Sequence, residues 1–299
     1  MSARSRLVLA ALLLSPAAAT GDRSLRLSAP LPHIPVFAAS RPEFTSDLEF
    51  LVYLATTEGA DVGLYSAGLN GARVRLDDLA PGQSVASFTL DPTGERVVFL
   101  TTDVVGRELY SAPTDGSAPA VRLHAPILTG RDVTSFQISP DGAWVVYRSD
   151  VLVNGRFVLA SVPIAGGTPV EVNGPLVVAG DVREIYRISP DSTTVVYSAN
   201  QEVAEFEIYA APIQGGGPSR NLGIERNSNS TFALKFSGDG ARVVHLNGAR
   251  NAIFSVPLDA SAAPVMLSNP AIFGVSDFLP TPDGARVVIL SLFGALYVS

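Results

Sequence analysis

The chain of 299 residues contains no cysteine, a single tryptophan and only one lysine, Lys235. Without cysteine it cannot form a disulfide, a thiolate metal site, a cysteine nucleophile or a cysteine-linked lipid anchor. Charged residues make up 16% of the chain, whereas hydrophobic residues make up 47%. This balance excludes an intrinsically disordered chain, which would be rich in charge and poor in apolar side chains.

Basic residues are scarce relative to acidic ones. The chain has 21 lysine and arginine residues against 28 aspartate and glutamate residues, which gives a formal net charge of −7. Binding to nucleic-acid phosphates or to anionic lipid needs clustered basic side chains, and the sequence has no such cluster. We therefore expect neither nucleic acid nor a charged membrane surface as a partner.

Residues 1–19 have the composition of a secretory signal peptide. Arg4 and Arg6 precede the apolar run 7–14, and residues 17–19 are alanines that suit a cleavage site. The apolar run is too short to span a bilayer, which takes about 20 residues. The sequence predicts cleavage near residue 19, no transmembrane segment in the mature chain, one domain over residues 20–299, and a periplasmic or secreted location.

Apolar triplets recur along the chain at a spacing of about 48 residues, which is the period of a repeat protein. Each of the last five follows a turn signal, of which Ser139-Pro140-Asp141-Gly142 is the fullest, because Pro presets φ and Gly accepts positive φ. A β-prone run precedes these turns, and two further short runs follow most triplets. The six triplets are Leu51–Tyr53, Val97–Phe99, Val145–Tyr147, Val195–Tyr197, Val243–His245 and Val287–Ile289.

Four strands in each repeat are typical of a β-propeller blade. The sequence therefore predicts an all-β fold, a six-bladed β-propeller of four-stranded antiparallel blades. The sixth repeat reaches Ser299 before its fourth strand. Leu25–Leu31 has the same pattern as Val121–Ile127, so we expect this N-terminal strand to complete the last blade and close the ring. Closure would remove two exposed sheet edges.

The turn and triplet at Ser139–Tyr147, with variants in four other repeats, resemble the Pro-Asp repeat of TolB-like β-propellers, a relative of the WD-type blade. The resemblance covers nearly the whole chain after the signal, and it implies a six-bladed propeller that serves as a binding module in the cell envelope. That family also has a separate N-terminal α/β domain, which we expect to be absent here. A part in a Tol–Pal type system is implied by this likeness alone.

No sequence motif for covalent chemistry is present. The chain has no nucleophile elbow, no metalloprotease helix, no P-loop and no dinucleotide-binding fingerprint. His245 replaces the aromatic residue of its triplet, so we expect it to pack within a strand. His124 and His33 lie in predicted loops, where we expect a solvated His124 and no partners for His33.

The acids of the repeated turns could suggest a calcium site, but they have a simpler interpretation. Asp in a tight turn accepts hydrogen bonds from its own backbone, and recurrence in the same turn of several repeats favours that role. We therefore predict no catalytic residue, no metal and no cofactor. These acids are Asp141, Asp191, Asp239 and Asp283.

The loops of a propeller lie on two faces. We call the turn face the one with the turns between first and second strands and between third and fourth strands. The loop face carries the connections from second to third strands and from each fourth strand to the next blade. Function on a rigid scaffold usually lies in variable loops around the channel mouth, which here form the loop face. The predicted binding residues are Arg131, Asp132, Asp181, Arg183, Glu184, Asp77 and Asp78.

Three of these connections are unexpectedly apolar: Pro126–Leu128, Pro175–Val178 and Pro270–Phe273. Exposed together, they would indicate a docking surface for a protein. Their recurrence at one position of the repeat favours the alternative that they pack between blades.

The sequence thus favours a monomeric, non-catalytic scaffold that binds another envelope or secreted protein. The alternative is a channel-centred hydrolase, lactonase or lyase, or a binder of a small ligand. Carboxylates such as Asp132 and Asp181 would then act with an oxygen-ligated metal, because hard cations accept sites made only of oxygen.

Overall fold

The computed structural model describes residues 42–56, 61–69, 71–102, 106–203, 205–223, 233–246, 252–268, 275–292 and 294–298. The predicted signal peptide and the predicted N-terminal strand lie outside these residues. All regular secondary structure in the described residues is β-strand.

The strands form six antiparallel sheets that follow one another along the chain. Sheets one to three contain β1 Glu43–Phe44, β2 Phe50–Thr56, β3 Val62–Gly68, β4 Arg73–Arg75, β5 Ser84–Leu90, β6 Arg96–Thr102, β7 Leu109–Pro113, β8 Val121–Arg122, β9 Val133–Ile138, β10 Trp144–Val153, β11 Arg156–Pro163 and β12 Val170–Glu171. Sheets four to six contain β13 Val182–Ile188, β14 Thr194–Ala199, β15 Glu207–Pro212, β16 Arg220–Asn221, β17 Ala233–Phe236, β18 Arg242–Leu246, β19 Ile253–Pro257, β20 Val265–Met266, β21 Val275–Pro280, β22 Val287–Ser291 and β23 Leu296–Val298.

Each sheet is an up-and-down meander in which every strand pairs with the next one in the chain. Sheets one to five have four strands, and the described part of sheet six has three. The predicted all-β architecture is confirmed. The two-residue strands, such as β8 and β12, are fourth strands at the outer edge of their sheets, apart from β1, which is a first strand.

The apolar triplets lie in the second strands, where successive side chains point to opposite faces of the sheet. Val97 and Phe99 pack in a cluster with sheet one, whereas Val98 and Leu100 pack in a cluster with sheet three. Both faces of the sheet are therefore buried, and this explains why the triplets are continuously apolar rather than alternating with polar residues.

Consecutive sheets pack face to face around their first strands. The first strands β9, β13, β17 and β21 contact one another in succession. Gln137 of β9 donates from its amide to the carbonyl of Tyr186 at 2.8 Å, and the equivalent Lys235 of β17 donates to the carbonyl of Phe278 at 2.6 Å. Sheets that pack through their faces and meet along their first strands form a β-propeller.

The repeated turns hold their acids by a fixed set of hydrogen bonds. The hydroxyl of Ser139 donates to Asp141 Oδ1 at 2.5 Å, and the backbone N–H of Ala143 donates to the same oxygen at 3.0 Å. The backbone N–H of Trp144 in turn donates to Ser139 Oγ at 2.9 Å. The same network recurs in sheets one, four, five and six, around Asp47, Asp191, Asp239 and Asp283.

Sheet two keeps the network with its two side chains exchanged. Asp91 stands where the other turns have Ser or Thr, and its Oδ1 accepts from the backbone N–H of Arg96 at 2.8 Å. Thr93 takes the place of the turn acid and donates from its hydroxyl to Asp91. The interpretation of the turn acids as backbone acceptors is thus confirmed in the described turns, and these bonds lower the pKa of Asp47, Asp191, Asp239 and Asp283.

Candidate functional site

The predicted binding residues all lie on the loop face, but they fall into two groups. Arg131 and Asp132 precede β9, and Asp181, Arg183 and Glu184 lie at the start of β13. Because β9 and β13 contact each other, these five residues lie near the starts of two neighbouring first strands. Asp77 and Asp78 follow β4, between sheets one and two.

Asp132 and Asp181 occupy equivalent positions, each immediately before the first strand of a sheet. Asp132 Oδ1 accepts from the backbone N–H of Arg107, just before β7 in the preceding sheet, at 2.7 Å. Asp181 Oδ1 accepts from the backbone N–H of Phe157 in β11 at 2.8 Å. Each acid therefore uses one carboxylate oxygen to connect its own sheet to the third strand, or the residues leading into it, of the preceding sheet.

Sheet two shows that this connection does not need a carboxylate. Ser84, at the start of β5, occupies the equivalent position, and its Oγ accepts from the backbone N–H of Val62 in β3 at 3.0 Å. We call this side-chain-to-backbone bond between neighbouring sheets the inter-sheet bond. Its recurrence gives Ser84, Asp132 and Asp181 a common structural role.

The backbones of both acids are held as well. The N–H of Asp132 donates to Asp150 Oδ1 at 2.7 Å, and the N–H of Asp181 donates to Asn200 Oδ1 at 3.2 Å. Asp150 lies within β10 and Asn200 directly follows β14, and both residues are buried. The two acids are thus fixed from both sides, and their orientation is set before any ligand arrives.

Arg131 supports the hairpin of β10 and β11. Its Nη1 donates to the carbonyls of Val151 and Leu152 at 2.6 and 3.0 Å. At the tip, Asp150 Oδ2 accepts from the backbone N–H of Gly155 at 2.9 Å. β10 has ten residues, whereas the second strands of the other sheets have five to seven. β10 is therefore the longest second strand among the described residues, and these hydrogen bonds hold its hairpin with β11 on the loop face.

Exposed apolar side chains lie on that hairpin and in the loops before β9 and β13. Leu152 near its tip is 60% exposed, Leu128 in the loop before β9 is 60% exposed, and Val178 in the loop before β13 is 99% exposed. Arg131 links the first two, because its backbone N–H also donates to the Leu128 carbonyl at 3.2 Å. We call Leu128, Leu152, Val153 and Val178 the hairpin patch.

The sequence left open whether the apolar loops are exposed for docking or packed between blades, and the described loops contain residues of both kinds. Ile127 is partly buried against the cluster between sheets two and three, and Leu176 is partly buried against the cluster between sheets three and four, as the packing interpretation predicts. Their neighbours Leu128 and Val178 are exposed, which the packing interpretation does not account for. The third loop, Pro270–Phe273, lies outside the described residues.

The turn that presents Val178 is conformationally unfavourable. The backbone N–H of Gly180 donates to the Val177 carbonyl at 2.8 Å, which places Ala179 at the third position of the turn with φ of 59°. The equivalent turn before β9 has Gly130 at that position, with φ of 82°. An L-residue with positive φ costs about 1 kcal/mol relative to glycine, so the chain exposes Val178 at an energetic cost.

Arg148 is a residue of this region that the sequence interpretation missed. Its position in β10 is occupied by Leu54, Leu100 and Leu246 in sheets one, two and five, as the strand registers show. Sheet four has Ser198 at this position, so Arg148 is the charged residue at a position that is leucine in most repeats, and aligning the residue after each triplet would have revealed it. Such departures from a local rule are expected at functional or strained sites.

Arg148 is buried between sheets three and four. Its Nε donates to the Val182 carbonyl at 2.6 Å, and its Nη1 donates to Thr134 Oγ1 at 3.0 Å. Its Cζ lies 3.7 Å from the centroid of the Phe157 ring, and its Nη2 lies 3.6 Å from Asp181 Oδ2. Burial lowers the pKa of Arg148, and Asp181 and other nearby acids act in the opposite direction.

Arg183 and Glu184 form the more exposed part of the same charged group. The guanidinium of Arg183 lies 3.9 Å from the centroid of the Phe206 ring, and partial burial lowers its pKa. Glu184 Oε1 lies 3.8 Å from Arg148 Nη1, and the rest of its side chain is open to solvent. These two side chains place charges of both signs at the start of β13, which follows the loop that carries Val178.

Asp77 has a structural role instead of an exposed one. Its side chain is fully buried, its Oδ2 accepts from the backbone N–H of Leu64 at 2.5 Å, and its Oδ1 lies 2.6 Å from Arg75 Nη2. Asn173 and Ser268 occupy the same position of the repeat and accept from the equivalent third-strand N–H groups at 2.7 and 2.9 Å. This leaves only Asp78 exposed in its group.

The two described histidines are both buried. His245 lies in β18 and stacks on Phe254 with ring centroids 5.5 Å apart, as its place in the triplet predicts, and burial lowers its pKa to about 4. His124 was expected to be solvated, and this is wrong, because only 5% of it is exposed and its Nδ1 lies 2.6 Å from the Ala125 carbonyl. His33 lies outside the described residues.

Two further observations concern the described residues as a whole. Among them, no three histidine, aspartate or glutamate side chains come together as a group that could hold a metal ion. The same residues contain no helix with the length and apolar character needed to cross a membrane.

Comparisons with known proteins bear on the fold. No protein-family model matches the chain, and no curated protein matches it in sequence. Among solved structures, dipeptidyl peptidase 4 of Porphyromonas gingivalis is similar with a TM-score of 0.61 at 11% identity, over 86% of this chain and 45% of that one. The present chain thus spans less than half of that peptidase.

Oligogalacturonate lyase from Vibrio parahaemolyticus is similar with a TM-score of 0.53 at 10% identity, over 86% of this chain and 75% of the lyase. A putative TolB from Agrobacterium tumefaciens is similar with a TM-score of 0.44 at 20% identity, over 73% of each chain. At these identities, similarity bears on the fold alone, since one fold carries many functions.

Proposed function

We propose that this chain is a secreted or periplasmic β-propeller that binds another protein through the hairpin patch. The observation that carries the proposal is the exposure of Leu152 and Val178 on a hairpin and a turn that are held rigidly in place. Exposed apolar side chains that cluster within a polar surround are typical of protein-binding surfaces. Rigid presentation reduces the ordering cost of binding.

The chemistry of the surround defines the kind of partner. Arg183 and Glu184, at the start of β13 after the loop that carries Val178, supply a cation and an anion on the same face as the hairpin patch. A partner that fits would offer an apolar contact with charged groups of both signs at its edge. Such an arrangement gives orientation and specificity at the rim, while the apolar centre supplies most of the affinity.

We also propose that Asp132 and Asp181 are not catalytic. A hydrolase or lyase would use them as free carboxylates, yet one oxygen of each accepts a backbone hydrogen bond from the preceding sheet. Ser84 fills the same position and makes the same bond without any acid. The inter-sheet bond therefore gives both acids a structural role, and this role explains their presence without catalysis.

The proposal can be tested by site-specific crosslinking followed by affinity measurement. A photoreactive residue is placed at Leu152 or at Val178 in cells that produce the full chain, and at Leu69 as the control. Leu69 is also an exposed leucine, but it follows β3 on the turn face. We expect one partner to crosslink from Leu152 and Val178, and not from Leu69.

The captured partner is then purified and its affinity is measured. Leu152→Asp should weaken binding by about tenfold or more, as expected for the centre of an interface, whereas Leu69→Asp should leave it unchanged. Equal weakening by both substitutions, or crosslinking from Leu69 alone, would move the binding surface away from the hairpin patch. No crosslink from any position would contradict the proposal of a protein partner.

A further inference from the structure

In sheets two and five, an arginine and a serine join the second and third strands on the turn face. The arginine is the first residue of the second strand, and the serine stands opposite the middle residue of the triplet. Arg96 Nε donates to Ser111 Oγ at 3.0 Å, and Arg242 Nε donates to Ser255 Oγ at 2.7 Å. The hydroxyl at this position therefore has a partner although it is buried.

The same serine position also bonds to the next sheet. Ser255 donates to the Gly284 carbonyl of sheet six at 3.0 Å, and Ser161 of sheet three donates to the Ile213 carbonyl of sheet four. Sheet four itself has Ala210 at this position and needs no partner there. In sheets two, three and five, the hydroxyl is thus part of the hydrogen-bonded scaffold.

Sheet one departs from this pattern. Ser66 occupies the serine position and is only 2% exposed, yet among the described residues its Oγ has no hydrogen-bond partner. Phe50 stands where sheets two and five have the arginine. The carbonyl of Gly94, which is the equivalent of Gly284, accepts from Thr114 Oγ1 of its own sheet at 2.7 Å. A buried hydroxyl without a partner needs an explanation.

A cavity of about 400 Å³ lies at this place, between sheets one and two, and we call it the turn-face cavity. Phe50, Ser66, Gly68 and Val74 line it, and the strand registers place all four on the face of sheet one that packs against sheet two. The position of Gly68 is proline in the next four sheets, as Pro113, Pro163, Pro212 and Pro257. The cavity thus occurs where sheet one has a smaller residue and an apolar one in place of proline and arginine.

The charges around the turn-face cavity are of one sign. Glu49 and Asp115 also line it, and none of its described lining residues is lysine, arginine or histidine. Hydrogen bonds from Ser117 lower the pKa of Asp115, so this acid is charged at neutral pH. The two carboxylates attract a cation and repel an anion. The volume is in the range of small-molecule sites, which are mostly apolar with a few polar groups.

We propose that the turn-face cavity binds a small apolar amine that carries a hydroxyl or a similar hydrogen-bonding group at its other end. The apolar body packs against Phe50 and Val74, the ammonium group faces Glu49 and Asp115, and the second polar group bonds to Ser66. Such a ligand supplies the partner that the Ser66 hydroxyl lacks. The site lies on the turn face, so this proposal does not rest on the binding of a protein by the hairpin patch.

The proposal is tested by isothermal titration calorimetry of the full chain, secreted from a bacterial host, with three probes. Tyramine has an aromatic body, a hydroxyl and an ammonium group. Phenethylamine lacks the hydroxyl, and 3-(4-hydroxyphenyl)propionate has a carboxylate in place of the ammonium. We expect one tyramine to bind per chain, phenethylamine to bind about fivefold more weakly because one hydrogen bond is lost, and the propionate not to bind.

Two serine variants separate ligand binding from stability. Ser66→Ala should remove the preference for tyramine over phenethylamine and leave the melting temperature unchanged, because the hydroxyl has no partner in the described residues. Ser111→Ala is the matched control at the same position of sheet two. It loses the bond from Arg96, so it should lower the melting temperature and leave the affinity for tyramine unchanged.

Phe50→Arg is expected to abolish binding of both amines. It introduces the residue that sheets two and five have at this position, which supplies a donor to Ser66 and places a cation in the cavity. If this variant does not fold, Ser66→Ala decides alone. Three results would overturn the proposal: no binding of either amine at millimolar concentrations, equal binding of tyramine and the propionate, or tyramine binding that Ser66→Ala leaves unchanged.

Discussion

The turn face and the loop face of this propeller are built on different principles. On the turn face, five sheets repeat one network of a hydroxyl, a carboxylate and two backbone N–H groups, and sheet two keeps it with the side chains exchanged. On the loop face, the inter-sheet bond recurs, but its side chains differ from sheet to sheet, and sheet three has the longest second strand among the described residues. Positions that carry the same side chains in every sheet therefore serve the scaffold. Positions whose side chains differ between sheets are the candidates for a specific function.

The largest expected loss of stability concerns Asp181. It lies in a loop whose sequence varies between repeats, but its side chain makes the inter-sheet bond. Asp181→Ala removes the acceptor for the N–H groups of Phe157 and Val182 and leaves the buried Arg148 without its nearest carboxylate. We expect the free energy of unfolding to fall by about 3 kcal/mol, from two lost hydrogen bonds and the weaker pairing of a buried charge that keeps only Glu184 as a carboxylate partner. Denaturant unfolding measures this change.

Glu184→Ala is the matched control for that substitution. Glu184 is exposed and lies 3.8 Å from the same guanidinium, so its loss should change stability by less than about 0.5 kcal/mol. Asp181→Asn, which keeps one acceptor oxygen, should lie between the two. If both alanine variants had equal stability, the inter-sheet bond would have no structural importance, and Asp181 would again be a candidate for ligand binding.

The second prediction concerns the interior between the two faces, where His245 replaces the aromatic residue of the triplet. Burial lowers its pKa to about 4 in the folded chain, from an ordinary value of 6.5. The unfolded chain therefore binds more protons between these values, and stability falls as the pH drops from 6.5 toward 4, by about 3 kcal/mol at most. Unfolding curves measured across this range give the size of the loss.

His245→Phe should reduce the slope of this part of the pH profile and keep the stacked pair with Phe254, and His124, whose pKa is also lowered by burial, accounts for part of the slope that remains. The turn acids do not interfere with the measurement, because their pKa values are lowered from 3.8 and their stabilising bonds are lost only as the pH falls below this range. An unchanged pH profile in His245→Phe would show that another group titrates in this range.

The smallest expected effect tests how uniform the turn face is. Leu48 adopts φ of 63° at the position where sheet three has Gly142 with φ of 74°. Leu48→Gly relieves this strain, and we expect a gain of about 0.5–1 kcal/mol after the added flexibility of glycine is counted. Thermal unfolding measures the gain. Leu48→Ala keeps a Cβ atom and should give no gain; an equal gain would attribute the effect to the side chain instead of the backbone.

The sequence allowed the scaffold to be predicted because its signals are local. The triplets, the turn residues and the bonds of Asp141 and Asp239 all lie within a few residues of one another, and the structure confirms them. The exchange of Asp91 and Thr93 also preserves this local pattern. Hydrogen bonds between residues that are close in sequence, and that recur in every repeat, can be predicted from the sequence alone.

The loop face was less predictable because its bonds join distant parts of the chain. The N–H of Arg107 donates to Asp132, which is 25 residues further along the chain. The sequence around Asp132 does not distinguish such an acid from a solvated one. The division of the apolar loops into buried Ile127 and exposed Leu128 depends in the same way on how sheets pack. Arg148 could have been found from sequence, by comparing the residue after each triplet across the repeats.

The inter-sheet bond has a consequence for how such a chain can evolve. In all three observed cases the donor is a backbone N–H group, which every residue except proline possesses. A repeat carrying its acceptor side chain can therefore be copied next to any other repeat and will meet a donor there, without a matching substitution in its neighbour. Gene duplication can therefore add or replace one repeat of the propeller at a time. The side chains of the loop face remain free to diverge.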